Sequence, residues 1–156
     1  MGSDDKGGAL EGLRVLDLTR ILAGPLCTQM LGDMGADVIK VEPPGTGDDT
    51  RTWGPPFVNG ESAYFLGVNR NKRSLTLNMA VKSGQEILAR LVKSSDVLVE
   101  NFKLGTLEKW GITNDWLEKN APRVIRCSIT GYGSSGPDAA LPGYDFILQA
   151  ESGLMS

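Results

Sequence analysis

From Leu10 onward, short runs of apolar and β-branched residues alternate with longer stretches in which apolar positions recur every three or four residues. Extended runs separated by helical periods are the pattern of helices packed over a parallel sheet, so the predicted class is α/β. The first strand spans residues 13–18. After the breaker pair Gly24-Pro25, a helix is predicted over 26–34, with Met30, Leu31 and Met34 at helical spacing and Gly35 at its end. A second strand over 36–42 completes a strand–helix–strand unit. Residues 43–56 are too rich in Pro and Gly to hold regular structure. Then follow a short helix over 61–68, a strand over 74–77, a helix over 83–91 with Ile87, Leu88, Leu91 and Val92 as its core stripe, and a strand over 97–100. Asn114 is placed to cap a short helix carrying Trp116 and Leu117, and 124–129 supplies a fifth strand. Asp145 stands at the N-cap position of a last helix that begins Phe146-Ile147-Leu148.

Composition narrows the chemistry. The 156 residues, 40% hydrophobic and 22% charged, suit one folded domain. A net charge of -3 and the lack of any Lys/Arg block argue against nucleic acid as a partner. No run of about 18 apolar residues is present to cross a bilayer, so no membrane partner is expected. The absence of histidine removes Ser-His and Cys-His nucleophile pairs and imidazole acid/base chemistry. Cys27 and Cys127 lie far apart, outside any CxxC spacing, and read as buried thiols in a reducing compartment, with no metal site expected. Residues 1–9 read as a solvated arm or cloning remnant, and the apolar run at 153–156 suggests the front portion of a longer chain.

The remaining candidates are carboxylates, amines and glycine-lined loops. The first strand, Gly24 and the acidic end of the second strand at Glu42 imitate a dinucleotide site, but Gly24, Gly32 and Gly35 do not form GxGxxG. Gly131, Gly133 and Gly136 do, and they lead to Pro137 rather than into a helix. Asp145, between Tyr144 and Phe146, is the best-placed carboxylate nucleophile, against its simpler reading as a helix cap. Asp48 and Asp49 read as water-facing. The cluster Asn69-Arg70-Asn71-Lys72-Arg73 reads equally as an anion clamp and as a solvated turn, and Thr130-Gly131-Tyr132-Gly133 as a ligand-contacting loop.

Together, Leu10-Glu11-Gly12, residues 15–20, Ala23-Gly24-Pro25, residues 31–42, Asn71-Lys72-Arg73-Ser74, Val99-Glu100-Asn101-Phe102 and Gly131-Tyr132-Gly133 resemble the class III CoA-transferases of the CaiB/BaiF type. The similarity is colinear over residues 10–156, and residues 47–57 look most like the succinyl-CoA:glutarate branch. The resemblance implies a Rossmann-like parallel sheet with flanking helices, residues 10–156 forming the incomplete N-terminal part of a large domain, in an interlocked homodimer. It implies transfer of CoA from an acyl-CoA to a carboxylic acid through an aspartyl-CoA thioester, with CoA as substrate and no permanently bound cofactor. By position, Arg20, Leu22, Ala23, Leu77, Asn101, Phe102 and Lys109 would contact CoA, while Thr130, Gly131 and Tyr132 would approach the thioester end. Pro43 stands where the family often has Arg, which shifts phosphate binding to Lys72, Arg73 or Lys109. The family's catalytic Asp would fall after Ser156, so the chain alone is expected to be inactive, marginally stable and apolar at Phe146, Ile147 and Leu154. A racemase-type relative acting on 2-methylacyl-CoA and a binding module without chemistry are the alternatives. The expected location is cytoplasmic, or mitochondrial in a eukaryote.

Overall fold

The computed structural model describes residues 7–155; residues 1–6 of the predicted arm and Ser156 lie outside the described residues. The elements run β1 (Arg14–Asp17), α1 (Ala23–Asp33), β2 (Asp37–Glu42), β3 (Phe57–Val58), β4 (Glu61–Ser62), α2 (Ala63–Asn69), β5 (Lys72–Thr76), α3 (Lys82–Lys93), β6 (Val97–Glu100), α4 (Thr106–Lys109), α5 (Asn114–Asn120), β7 (Ile125–Ser128) and α6 (Asp145–Glu151). A five-stranded parallel sheet has the order β5-β2-β1-β6-β7, and β3 and β4 form a separate antiparallel hairpin. The chain thus starts at the centre, winds outward through β2 and β5, then returns to build β6 and β7 on the other side. This is the doubly wound order of a Rossmann-like fold, with its switch point between β1 and β6.

Alternation along the strands divides the core into two layers. Leu16, Val41 and Leu98 point to one face and pack with Leu88 and Val92 of α3, Leu107 of α4 and Leu117 of α5. Val15, Val38 and Val99 point to the other, beneath Leu31 of α1 and beside Leu10 and Cys127. A strand period of two sends neighbouring apolar residues to opposite faces, and both faces are covered.

Several predicted boundaries shift for identifiable reasons. Helix α1 begins at Ala23, three residues early, because Gly24 and Pro25 lie inside its first turn, where proline's missing N–H costs nothing. The loop 43–56 is not wholly irregular: a 3-10 turn spans Asp49–Thr52, capped by Asp48, whose carboxylate accepts from the Thr50 amide. The helix predicted from residue 61 starts at Ala63, because Asn59 and Gly60, with φ of 51° and 84°, make a hairpin turn that pairs 57–58 with 61–62. Strand β5 begins at Lys72 and takes in two residues of the basic cluster. Ile87 is 41% exposed and leaves the predicted stripe, whereas Leu88 and Val92 are fully buried. Thr113, not Asn114, caps α5, its hydroxyl accepting from Trp116 at 3.0 Å. Tyr144, not Asp145, is the N-cap of α6, and the Asp145 carboxylate accepts instead from Gln149 at 2.6 Å. Gly8 lies against the Met34 backbone and accepts from the Glu11 amide, so residues 7–9 are more than a solvated arm. Cys27 and Cys127 are half-buried rather than buried. Burial raises the Cys27 thiol above its ordinary pKa, and Cys127 and Asp17 nearby add to the rise.

Two glycines test this packing. A Cβ at Gly84, in the first turn of α3, would sit 1.8 Å from the Asn78 carbonyl oxygen, while one at Gly67 in α2 meets nothing within 4 Å. Gly84→Ala is expected to destabilise by about 1–3 kcal/mol, and Gly67→Ala to stabilise by about 0.5–1 kcal/mol. Urea denaturation of the two variants reads both signs.

Candidate functional site

The C-terminal ends of the strands form one edge, and three adjacent strands reach it with a carboxylate: Asp17 of β1, Glu42 of β2 and Glu100 of β6, exposed by 0%, 3% and 5%. Each accepts a backbone N–H from the loop that follows it: Thr19 to Asp17 Oδ1 at 2.8 Å, Asp48 to Glu42 Oε2 at 2.9 Å, and Phe102 to Glu100 Oε2 at 2.9 Å. Each accepts a hydroxyl, from Thr28, Ser74 and Ser128 respectively. Each meets a cation: Lys72 Nζ lies 3.0 Å from Asp17, Arg51 Nε 2.7 Å from Glu42, and Arg126 Nη2 3.1 Å from Glu100. Burial alone would raise the Glu42 pKa, but Arg51, the Asp48 amide and Ser74 outweigh it and hold the group at about 2. Burial lowers the Lys72 ammonium from its ordinary range, with Asp17 acting in the opposite sense.

A further buried pair joins the network. Lys40 Nζ, on β2, donates to the Thr19 carbonyl at 2.9 Å and lies 2.9 Å from Asp48 Oδ2. That second contact is an ion pair, and Lys40 is the one group that meets Asp48 Oδ2 among the described residues. Asp48 Oδ1 accepts from the Thr50 amide and hydroxyl and, at a long 3.4 Å, from the Ile21 amide. Burial would raise the Asp48 pKa; the Lys40 charge and the Thr50 bonds pull it below the ordinary carboxylate range. Asp48 is 1% exposed, so the water-facing reading holds only for Asp49.

These contacts shape the turn between β1 and α1. Ile21 has φ of 68°, a left-handed conformation that costs a β-branched residue about 1–3 kcal/mol. On the β6 side, Asn101 clamps Arg20 in both directions, its Oδ1 accepting from the Arg20 amide and its Nδ2 donating to the Arg20 carbonyl, both at 2.9 Å. The Arg20 guanidinium lies over the Phe102 ring at 5.4 Å, and Phe102 packs edge-on against Trp110. Three predicted residues, Arg20, Asn101 and Phe102, therefore meet across the switch point. Leu22 and Ala23 are exposed beside them, and Lys109 is exposed at the end of α4.

Other predicted residues go elsewhere. Leu77 is 8% exposed within the core layer, and its amide donates to the Glu42 carbonyl. The basic cluster is no open anion clamp: Lys72 is internal, Arg73 pairs with Asp37, and Arg70 pairs with Asp33. Thr130 is exposed, its hydroxyl accepting from the Gly133 amide, and Tyr132 donates to Glu151 at 2.6 Å. Gly131 lies against the Gly143 backbone, which a Cβ would approach to 2.5 Å, so its smallness serves that contact. Among the described residues no group of three or more His, Cys, Asp or Glu could hold a metal, and no helix is long and apolar enough to cross a membrane.

An open parallel α/β sheet with a clamped loop site at its switch point is the class that fold and geometry define. The model for CoA-transferase family III matches residues 10–156, and the chain belongs to that family. It is 57% identical over 146 residues to the succinyl-CoA:glutarate CoA-transferase of Mus musculus, covering 94% of this chain and 34% of that protein. It is 50% identical to the succinate–glutarate CoA-transferase of Agrobacterium fabrum, covering 94% of this chain and 38% of that protein. The crystal structure of a CaiB/BaiF family protein from Brucella suis superposes with a TM-score of 0.90 at 52% identity, covering 96% of this chain and 40% of that one. The chain thus spans somewhat more than a third of the length of the relatives it matches.

The network makes two predictions. Lys72→Ala leaves Asp17 buried without its cation and is expected to cost about 3–5 kcal/mol, whereas exposed Arg73→Ala should cost under about 1 kcal/mol; equal losses in thermal melts would contradict the assignment. Glu42, at about 2 when folded against an ordinary 4.5, contributes its full stability above that ordinary value. As pH falls through 4.5 the unfolded chain takes up the proton first, so the contribution declines until about 2. Glu42→Gln should flatten that acid limb in stability measured against pH.

Proposed function

We propose that this chain forms the CoA-binding portion of an enzyme that moves CoA from an acyl-CoA to a free carboxylic acid, with succinyl-CoA as donor and a dicarboxylate such as glutarate as acceptor. The supporting observation is the meeting of Arg20, Asn101 and Phe102 at the switch point of a family III fold. Arg20 supplies an exposed cation beside an aromatic face, suited to the phosphates and adenine of CoA. Leu22 and Ala23 extend that surface at the start of α1 and Lys109 adds a second exposed cation, whereas Leu77, buried in the core layer, is not assigned a contact with CoA. Thr130, Gly131 and Tyr132 stand beyond β7 as the thioester-proximal loop.

In the proposed transfer an aspartate carboxylate attacks the acyl-CoA to form a mixed anhydride and release CoA thiolate. The thiolate attacks the aspartyl carbonyl, giving an aspartyl-CoA thioester and freeing the donor acid. The acceptor carboxylate then attacks that thioester, giving a second anhydride and CoA thiolate, which attacks the acceptor's acyl carbon to form the new acyl-CoA and restore the aspartate. Asp17, Glu42, Asp48 and Glu100 are not that nucleophile, because each is held by a cation and several donors. Asp145, which accepts from Gln149 in α6, is not assigned the role either. The nucleophile is assigned, on the family resemblance, to an Asp beyond Ser156, and the 156-residue chain by itself is expected to bind CoA without turnover. The whole enzyme is proposed to work as a homodimer.

Calorimetric titration with CoA and a succinyl-CoA/glutarate exchange assay test this on the protein expressed from its complete reading frame. CoA exchange is expected, with Arg20→Ala and Asn101→Ala each raising KM for the acyl-CoA by about tenfold. Deuterium uptake from a chiral 2-methylacyl-CoA in deuterated water, with no CoA exchange, would sink the transferase reading in favour of the racemase-type relative. Saturable CoA binding with neither reaction would make it a binding module.

A further inference from the structure

We infer that Asp48 is a positioning residue for CoA, acting through Lys40 and Ile21 without touching the ligand itself; this rests on the CoA site proposed above. Lys40 and Asp48 bracket the approach to the strained residue, holding the chain at two points, the Thr19 carbonyl and the Ile21 amide. Lys40, held by Asp48 at 2.9 Å, donates to the carbonyl of Thr19, two residues before Ile21. Asp48 accepts from the Ile21 amide itself. Both side chains are at most 2% exposed, so water does not replace either contact. Left alone, the backbone at Ile21 would leave its φ of 68° for an ordinary region, and Arg20 would rotate away from Phe102.

The bracket is made from the loop that follows β2, whereas the turn it holds follows β1. The Asp48 amide is fixed by Glu42, and the Asp48 carboxylate caps the 3-10 turn that carries Arg51 back to Glu42. The loop 43–52 is therefore a brace whose inner end sets the Arg20 turn. Asn101 supplies the opposing grip from β6, so the turn is held between two independent clamps.

Three variants and two readouts separate positioning from simple stability. Asp48→Asn keeps the shape but removes the charge. Lys40→Met/Asp48→Leu removes the bracket while leaving no lone buried charge, a replacement that folded proteins often accept. Ile21→Gly, placed in the Asp48→Asn background, supplies a residue that adopts a positive φ without penalty. The readouts are hydrogen exchange at the Ile21 amide and the KM for acyl-CoA against kcat and the KM for the acceptor acid.

Both bracket variants are expected to lose protection at Ile21 and to raise the acyl-CoA KM, or the Kd for CoA, by about tenfold, with kcat and the acceptor KM changed less than about twofold. Ile21→Gly is expected to recover most of that loss. Unchanged protection and CoA affinity in both variants would overturn the inference, as would a uniform fall in all parameters that glycine does not recover. CoA binding that weakens in Asp48→Asn, in a protein that exchanges no CoA, would support positioning and sink the transferase reading. Normal exchange with indifferent Asp48 variants would do the reverse.

Discussion

A carboxylate at the end of a buried strand is tolerable only if a cation and several donors meet it, and this constraint organises the functional edge. Asp17, Glu42 and Glu100 meet it in the same way, with a loop amide, a hydroxyl and a basic side chain. Two of the cations come from other strands, Lys72 from the outer strand β5 and Arg126 from the opposite edge strand β7, whereas Arg51 comes from the 3-10 turn nine residues after Glu42. The loops after β1 and β6 therefore gain their cations only when the neighbouring strands assemble, while the loop after β2 is held from within by the Asp48 amide and Arg51 and only completed by Ser74 of β5. At the ends of β1 and β6, assembling the sheet and fixing the loops go together.

The same arrangement decides what the edge presents outward. Its buried acids are neutralised internally, so a polyanionic ligand approaching the strand ends does not meet their uncompensated charge. Arg20 lies outside this neutralised layer, exposed and spread over Phe102, and the exposed Lys109 ends α4 nearby. A chain with a net charge of -3 can still offer an anion a favourable surface here, because the acids are locked inward and the free cations face out.

Much of the fold was legible because the central strands β1, β2 and β6 are compact runs rich in apolar residues and α3 buries Leu88 and Val92 of its expected stripe. In α1, by contrast, Met30 and Met34 are 52% and 51% exposed and the buried face is Gly24, Pro25, Thr28 and Gln29. The hairpin was missed, although Asn59-Gly60 is a strong turn signal, because its strands are only two residues long. Asn114 and Asp145 were misassigned as caps because a one-residue shift in where the backbone becomes helical moves the cap to its neighbour. The site was legible in part. Arg20, Asn101 and Phe102 follow strand ends, where ligand loops gather, and the structure brings them together. Lys72 and Asp48 were misread because local composition made both look solvated, and burial is set by contacts such as Lys72 to Asp17, 55 residues apart. The visible clue was the acid closing each of three apolar strands, since a charge there needs a partner.

The likeness to a dinucleotide fold fails for a reason the geometry makes explicit. In such folds the glycine turn after the first strand opens the switch-point crevice, and a pyrophosphate enters against the helix N-terminus. Here Gly24 is small because Thr19 packs on it: a Cβ would lie 2.2 Å from the Thr19 Cβ. The crevice between β1 and β6 is itself closed by the Asn101 amide, both of whose functions are taken by the Arg20 backbone. On the proposed reading, CoA lies across the filled crevice rather than within it, against the outer surfaces of Arg20 and Phe102. The presentation of Arg20 then depends on how accurately its turn is held, with Asn101 gripping Arg20 from the β6 side and Asp48 accepting from the Ile21 amide on the β2 side.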